Sequence, residues 1–279
     1  DRDVTGVQTC ALPICKKRFI AGEYDIYRSM VDHAREMGMS VRLAYRMNAF
    51  VCNCPWDGSY TSAFYANNPH LRCRDIDGDE VARLSYAYEE VQDRVIDLFK
   101  DMLKTGADGI HMLFNRGLPC ILYEDPVVEA YKKSTGKSPF LIEEEDNEWI
   151  KFRCNYFTEH FMKRVRYELD NYASLLGRSK RPVISAHTLA DERTNLFFGL
   201  DILGWAKEGL VDAIVGYPIR MNSPTNVLAD KPEFIDLDFY SKFSEETSVN
   251  TYIDILPRRM EPEKLISRSE EHTSELQSH

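Results

Sequence analysis

The stretch that decides the fold is YEEVQDRVIDLFKDMLKTGADGIHMLFN, residues 88–115. Its first part repeats apolar side chains at helical spacing, at Val91, Val95, Leu98 and Met102, and Gly106 ends the pattern. The second part, GADGIHMLFN, alternates apolar and polar or mixed positions with the period of two that is typical of a strand. The stretch therefore predicts a helix followed by a strand, the repeating unit of an α/β fold.

The same unit recurs along the chain. Further strands are predicted at 41–48, 182–187, 211–217 and 249–255. Further helices are predicted at about 24–37, 126–134, 149–176, 201–208 and 234–245. Because a helix stands between each pair of strands, we expect parallel strands joined by crossover connections.

Two architectures fit this order, an open doubly wound sheet and a closed barrel. Neither G-x-G-x-x-G nor a P-loop pattern follows the first strand, so the sequence gives no support for nucleotide binding. Each strand also pairs an apolar face with a mixed polar face, which suits a barrel whose lumen takes the polar side chains. The sequence predicts the α/β fold of a (β/α)8 TIM barrel, incomplete, with about five of eight units present.

The two ends look foreign to the protein. VTGVQTCALPI, residues 4–14, and RSEEHTSELQSH, residues 268–279, can be encoded by complementary strands of one DNA segment, as translated sequencing adapter would be. We therefore expect 1–15 and 268–279 to be artefacts without a fold, and 16–267 to be a partial TIM-barrel domain truncated at both ends.

Composition narrows the possible partners. The 279 residues carry a formal net charge of -10, which argues against a nucleic-acid partner. Since no run approaches ~18 consecutive apolar residues, no membrane span is expected. Cys52, Cys54, His70 and Cys73 could be imagined as a zinc site, but their spacing is poor, and we expect neither metal nor cofactor. Oligomeric state and cellular compartment are not indicated.

Five residues lie near the predicted carboxyl ends of strands, where barrel enzymes place their sites: Arg46, Asn48, Asn115, His187 and Asp254. His187 could be an acid-base group or a hydrogen-bonded structural residue. Arg46 could clamp a substrate or form an internal ion pair with Asp254. An inward carboxylate such as Asp254 is costly unless it is paired or used.

Glu124 follows the second strand in a βα loop, and it could be a catalytic group or the first charge of a helix. The loop after the first strand carries Trp56, Tyr60, Phe64 and Tyr65, which could stack on sugar rings or pack the loop.

Three segments carry a family resemblance: residues 84–136, LSYAYEEVQDRVIDLFKDMLKTGADGIHMLFNRGLPCILYEDPVVEAYKKSTG; residues 195–218, NLFFGLDILGWAKEGLVDAIVGYP; and residues 252–262, YIDILPRRMEP. They resemble the glycosyl hydrolase family-10-like proteins, bacterial glycoside-hydrolase-like TIM barrels. The resemblance implies that the five strands are strands three to seven of a barrel. Related barrels often carry an acidic residue on strand four, and Leu113 takes that place here.

The activity that this resemblance implies is hydrolysis of a poly- or oligosaccharide, which normally requires two carboxyl groups. We expect Glu124 as general acid/base and Asp254 as nucleophile or base. Arg46, Asn48, Asn115, Arg116, His187 and Tyr217 are expected to bind sugar hydroxyls. A carbohydrate-binding barrel without turnover is the alternative. A metal-dependent hydrolase is a third option, with His111, His187 and Asp254 as converging ligands.

Overall fold

A computed structural model describes residues 25–48, 61–115, 117–223, 226–230 and 235–254. The segments attributed to adapter DNA lie outside these residues, as do Trp56, Tyr60 and Arg116. The predicted domain boundaries therefore stay predictions.

The α-helices of the described residues are α1 (Ile26–Glu36), α2 (Ala63–Asn67), α3 (Glu89–Lys104), α4 (Asp125–Thr135), α5 (Asn147–Phe157), α6 (Lys163–Leu175), α7 (Glu192–Phe197), α8 (Ile202–Lys207) and α9 (Leu237–Glu246). The strands are β1 (Arg42–Arg46), β2 (Arg72–Arg74), β3 (Glu80–Leu84), β4 (Gly109–Leu113), β5 (Val183–Thr188), β6 (Ala213–Gly216), β7 (Ile219–Ser223), β8 (Asn226–Asp230) and β9 (Asn250–Ile253). A π-helical turn, Thr158–Met162, joins α5 to α6.

Five of the strands form one parallel sheet in the order β1-β4-β5-β6-β9. These are the five strands that the sequence predicts, and each lies beside the one before it in the chain. A doubly wound sheet reverses its strand order at a switch point, whereas a (β/α)8 barrel adds each strand next to its predecessor. The described sheet contains no reversal. The fold is mixed α/β with a parallel sheet, consistent with an incomplete (β/α)8 barrel.

The two faces of the sheet differ as the alternation predicts. Side chains such as Ile110, Met112, Ile184 and Ile214 are fully buried, and they belong to the main hydrophobic core that the sheet shares with its helices. The contact of β1 with α3 is typical, since the Tyr45 ring meets Phe99 edge-on with centroids 5.8 Å apart.

The opposite face, which we call the inner face, carries the mixed polar set. Its side chains lie in three register rows across the sheet, and the row nearest the carboxyl ends runs Arg46, Leu113, His187, Val215, Tyr252. These five side chains are exposed or only partly buried. The side chains of this row are therefore available to a ligand.

Aspartates begin many of the helices. The side chains of Asp25, Asp146, Asp191, Asp201 and Asp236 each accept a backbone N–H from the first turn of α1, α5, α7, α8 and α9. Such caps satisfy amide groups that the helix leaves unbonded and typically contribute about 1 kcal/mol each. Part of the acidic composition therefore has a local structural cause.

A glycine fixes the start of β4. Gly109 pairs with Val183 of β5, and a Cβ on Gly109 would overlap the Val183 carbonyl. The two backbones can approach this closely because glycine has no side chain.

The structure departs from the sequence interpretation at α1 and in the loops. The apolar stripe of α1 was expected to face the core, but of its members Val31 is buried while Ile26, Tyr27 and Met30 are exposed. The reason is topological, because β1 is an edge strand of the described sheet and α1 has little to cover there. Two antiparallel hairpins, β2–β3 and β7–β8, and the short helices α2 and α7 were not predicted.

Within the described residues, no helix is both long enough and apolar enough to cross a membrane.

Candidate active site at the carboxyl ends of the strands

The carboxyl end of β9 brings a carboxylate to a histidine. Asp254 directly follows β9, and its N–H donates to the carbonyl of Gly216 at the end of β6 (2.8 Å). Its Oδ2 lies 3.3 Å from Nε2 of His187, although not in the alignment of a hydrogen bond. The His187 side chain is 13% exposed and that of Asp254 is 32% exposed. This pair is the only contact between a carboxylate and a histidine on the inner face of the described residues, and solvent reaches it.

Aromatic rings surround His187. The ring of Tyr217 meets it edge-on with centroids 5.2 Å apart, and the ring of His111 lies 5.5 Å away. Tyr252 lies in the same register row, beyond Val215, and is 49% exposed. The carboxyl end of the inner face therefore combines hydrogen-bonding groups with aromatic surface, which is the usual lining of a small-molecule site.

His111 is a feature that the hydroxyl-binding set predicted from the sequence leaves out. Its Nδ1 lies 2.7 Å from Oγ of Ser185, whose hydroxyl donates to the carbonyl of Ile110 (3.2 Å). The Ser185 hydroxyl has one proton and lies within hydrogen-bonding distance of both partners, so Nδ1 of His111 donates to it in one imidazole tautomer and accepts from it in the other. The alternation of apolar and polar residues along β4 predicts that His111 lies on the inner face, so the sequence did carry a signal for this residue.

The charge state of His111 follows from its surroundings. Burial, followed by electrostatic interactions with His187 and Arg42, lowers the pKa of His111 from 6.5 to about 4. His111 is therefore neutral at neutral pH, and it is available to a ligand as a hydrogen-bonding group rather than as a cation.

Arg46 and Asp254 lie far apart on the inner face. Arg46 is the last residue of β1, and Asp254 directly follows β9. These two edge strands are four strand spacings apart, roughly 19 Å along the sheet. The internal ion pair considered for Arg46 and Asp254 is therefore not formed. Arg46 is exposed at the β1 edge.

Asn48 is held by the backbone. Its Nδ2 donates to the carbonyls of Gly117 (2.9 Å) and Pro119 (2.8 Å), and its Oδ1 accepts the N–H of Leu84 (3.0 Å). The side chain is 3% exposed, and the backbone adopts φ 79°, a left-handed value. These contacts favour a structural role, since Asn48 ties the end of β1 to the loop after β4 and to the β2–β3 hairpin.

Asn115 and Tyr217 are both buried. The N–H of Asn115 donates to the carbonyl of His187 (3.3 Å), and the N–H of Tyr217 donates to that of Thr188 (3.2 Å). Both residues thus lie at strand ends beside His187. Arg116, also expected to bind hydroxyls, is outside the described residues.

Glu124 lies beneath the β2–β3 hairpin and is fully buried. Its Oε1 accepts the N–H of Arg74 (3.0 Å), and its Oε2 accepts the N–H of Leu122 (2.8 Å). Burial raises the pKa of Glu124 above 4.5, although the two backbone donors oppose that effect. In the described residues, no hydrogen bond or ion pair joins Glu124 to an inner-face side chain. The structure does not bring Glu124 and Asp254 into contact.

Metal ligation has no support in the described residues, where no group of three or more His, Cys, Asp or Glu side chains could hold an ion. His111, His187 and Asp254 do not form such a group. The described cysteines, Cys73, Cys120 and Cys154, are buried free thiols, and burial raises the pKa of each. Cys52 and Cys54 lie outside the described residues.

Comparison with known proteins assigns no activity. No family model matches the chain, and no curated protein matches it. An alpha-galactosidase from Thermus thermophilus in complex with stachyose is similar at 16% identity and a TM-score of 0.44 over 90% of this chain and 47% of the other. The same enzyme with p-nitrophenyl alpha-D-galactopyranoside gives 16% identity and a TM-score of 0.38 over 88% and 49%.

The chain thus spans about half the length of these solved chains. Neither likeness is close enough to assign an activity. The resemblance to the glycosyl hydrolase family-10-like proteins stays a prediction.

Proposed function

We propose that the domain is a glycoside hydrolase that binds a poly- or oligosaccharide along the inner face, near the carboxyl ends of β5, β6 and β9. The observation that supports this most directly is Asp254, a partly exposed carboxylate in contact with His187 on an open face. Glycosidic cleavage proceeds with carboxyl groups and hydrogen bonds alone. Asp254 is the proposed nucleophile or base.

The side chains along the inner face suit a sugar. The His111 imidazole and the Arg46 guanidinium can form hydrogen bonds with hydroxyl groups, and the exposed Tyr252 ring offers aromatic surface. A pyranose ring combines hydroxyl groups with an apolar face, so a surface of this composition complements it. His187 would hold Asp254 and contact a hydroxyl group at the same time.

The second carboxyl group is Glu124 in this proposal. Burial raises the pKa of Glu124, which favours the protonated form that a general acid requires. Glu124 can reach a leaving oxygen only when its contacts with Arg74 and Leu122 open and the β2–β3 hairpin moves aside. Catalysis by Glu124 therefore requires a loop rearrangement.

A second candidate function is carbohydrate binding without turnover. It is favoured by the complete burial of Glu124 and by Leu113, an apolar side chain on the inner face beside His187. A single accessible carboxylate can bind a sugar hydroxyl, but it does not complete the pair that hydrolysis needs.

The test compares Asp254→Asn and Glu124→Gln with the exposed controls Asp32→Asn and Glu245→Gln. Hydrolysis of a panel of p-nitrophenyl glycosides and depletion from solution by insoluble polysaccharides are measured for each variant. For a hydrolase, we expect both site variants to lose about 10²-fold or more in kcat and to retain polysaccharide binding, while the controls match wild type.

Three results would redirect the proposal. Binding without any turnover by the unaltered chain supports the second function. Loss in Asp254→Asn with no loss in Glu124→Gln removes Glu124 from the mechanism. Absence of both turnover and binding overturns both functions.

A further inference from the structure

A second cavity lies at the opposite end of the sheet from the candidate active site. It has a volume of about 810 Å3 and is formed by the loops that precede β1, β4 and β5. The charged side chains in its wall are Arg35, Asp108, Arg178, Lys180 and Arg181. A cavity of this size accommodates a small organic molecule.

The charge of this cavity is opposite to that of the whole chain. Its wall carries four cationic side chains and one carboxylate, whereas the protein has a formal net charge of -10. The carboxylate, Asp108, is already engaged, because its Oδ2 accepts the N–H of Val41 (2.7 Å) and its Oδ1 lies 3.2 Å from Nη2 of Arg35. The cavity therefore has a surplus of positive charge.

Two guanidinium groups converge in this wall. Arg35 donates through Nη2 to the carbonyl of Gly106, and Arg178 donates through Nη1 to that of Ala107 (2.6 Å). Burial, and then the positive charge of Arg35, lowers the pKa of Arg178. The two cations therefore repel one another across a turn of the backbone, and an anion placed between them would relieve that repulsion.

Stabilisation of the loops explains only part of this cluster. Arg35 binds the carbonyl of Gly106 after α3, and Arg178 binds that of Leu103 in the last turn of α3. Arg181 binds the carbonyl of Gly209 (2.9 Å) and lies 3.6 Å from Asp212. Lys180 is exposed and makes no ion pair with any described residue. Each η nitrogen of Arg178 uses one of its two hydrogens in the described bonds, so donors remain for a ligand.

We infer that this cavity binds a small molecule through a phosphate group held between Arg35, Arg178 and Lys180. Planar guanidinium groups donate paired hydrogen bonds to phosphate oxygens, and an ammonium group adds a point charge. A dianion matches the surplus charge better than a monovalent carboxylate does. The inference is independent of the proposed glycosidase function, because none of the side chains proposed to bind or cleave the sugar lines the cavity.

Inorganic phosphate is the probe for the first experiment. Calorimetry and thermal melting are measured with phosphate, sulfate, acetate and chloride at equal ionic strength. We expect phosphate to bind and to raise the melting temperature more than acetate or chloride does. Lys180→Gln should weaken phosphate binding by about tenfold, while Lys133→Gln, an exposed lysine on α4, should leave it unchanged.

A variant that fails to fold does not decide the matter, so the unaltered chain is also titrated with phosphate by ¹H–¹⁵N NMR. Shifts confined to residues 35–40, 106–108 and 177–183, which form the cavity wall, support the site. The inference is overturned if phosphate and chloride act alike, if Lys180→Gln binds as wild type does, or if the shifts fall elsewhere.

Discussion

Asn48→Ala should destabilise the fold strongly, because Asn48 joins three parts of the chain. The substitution removes two hydrogen bonds to the carbonyls of Gly117 and Pro119 and one from the N–H of Leu84, all at a side chain that is 3% exposed. A net hydrogen bond contributes about 1 kcal/mol, and a buried backbone group left unpaired costs about the same or more. The three bonds together amount to about 3 kcal/mol.

The backbone conformation adds to this cost. Asn48 has φ 79°, and a left-handed residue other than glycine or asparagine costs about 1 kcal/mol. Asn48→Ala should therefore lower the free energy of unfolding by about 4 kcal/mol in all. Asn48→Gly loses the same bonds without the backbone strain, so it should be about 1 kcal/mol less damaging than Asn48→Ala.

Urea denaturation followed by circular dichroism measures both variants, with Asn171→Ala on α6 as an exposed control. The control should lie within about 0.5 kcal/mol of wild type. The reasoning fails if Asn48→Ala stays within about 1 kcal/mol of wild type. If that stable variant also loses polysaccharide binding, the role in sugar contact predicted from the sequence is correct instead.

Three further predictions concern pH and association. Because the pKa of His111 is lowered from 6.5 to about 4 in the folded protein, the unfolded chain binds a proton at this residue at a higher pH than the folded chain does. The free energy of unfolding should therefore fall by roughly 2 kcal/mol between pH 7.5 and pH 5, and it should fall less in His111→Gln over the same pH range. The pKa of Glu124 is raised, so its contribution to the free energy of unfolding is present below pH 4.5 and is lost as the pH rises above that value. Glu124→Gln should remove this pH dependence, and an unchanged pH dependence would contradict the raised pKa of Glu124. β1 and β9 each have one neighbour in the described sheet, and α1 exposes Ile26, Tyr27 and Met30. We therefore expect the chain to self-associate, which light scattering would detect. A monodisperse, cooperatively melting monomer would count against this.

The sheet could be predicted because its signals are local. Alternation along β4 and β5 is a property of consecutive residues, and it correctly placed His111 and His187 on the face opposite the core. The helix pattern of α3 is equally local, and the structure confirms it at Glu89–Lys104. Secondary structure and the parallel order of the strands therefore followed from short stretches of sequence.

The surroundings of Asn48 and Glu124 could not be predicted because their partners are distant in the chain. Asn48 bonds to residues 36, 69 and 71 positions away, and Glu124 accepts an N–H from a residue 50 positions away. These contacts depend on the β2–β3 hairpin, whose three- and five-residue strands gave no clear alternation in the sequence. The sequence located Asn48 at the end of a strand and Glu124 in a loop, both at the carboxyl end of the sheet, but it could not show that their polar atoms are already satisfied.

Solvation separates the two proposed catalytic carboxylates. Asp254 keeps about a third of its side chain in contact with solvent and touches an imidazole, so it can exchange a proton or meet a substrate without any rearrangement. Glu124 has no exposed surface, and its two oxygens accept hydrogen bonds from the backbone N–H groups of Arg74 at the end of β2 and of Leu122. Opening those contacts breaks two hydrogen bonds, and each costs about 1 to 3 kcal/mol to break. A hydrolase that uses both residues must recover that energy from substrate binding, and shorter substrates should then lose kcat as well as affinity.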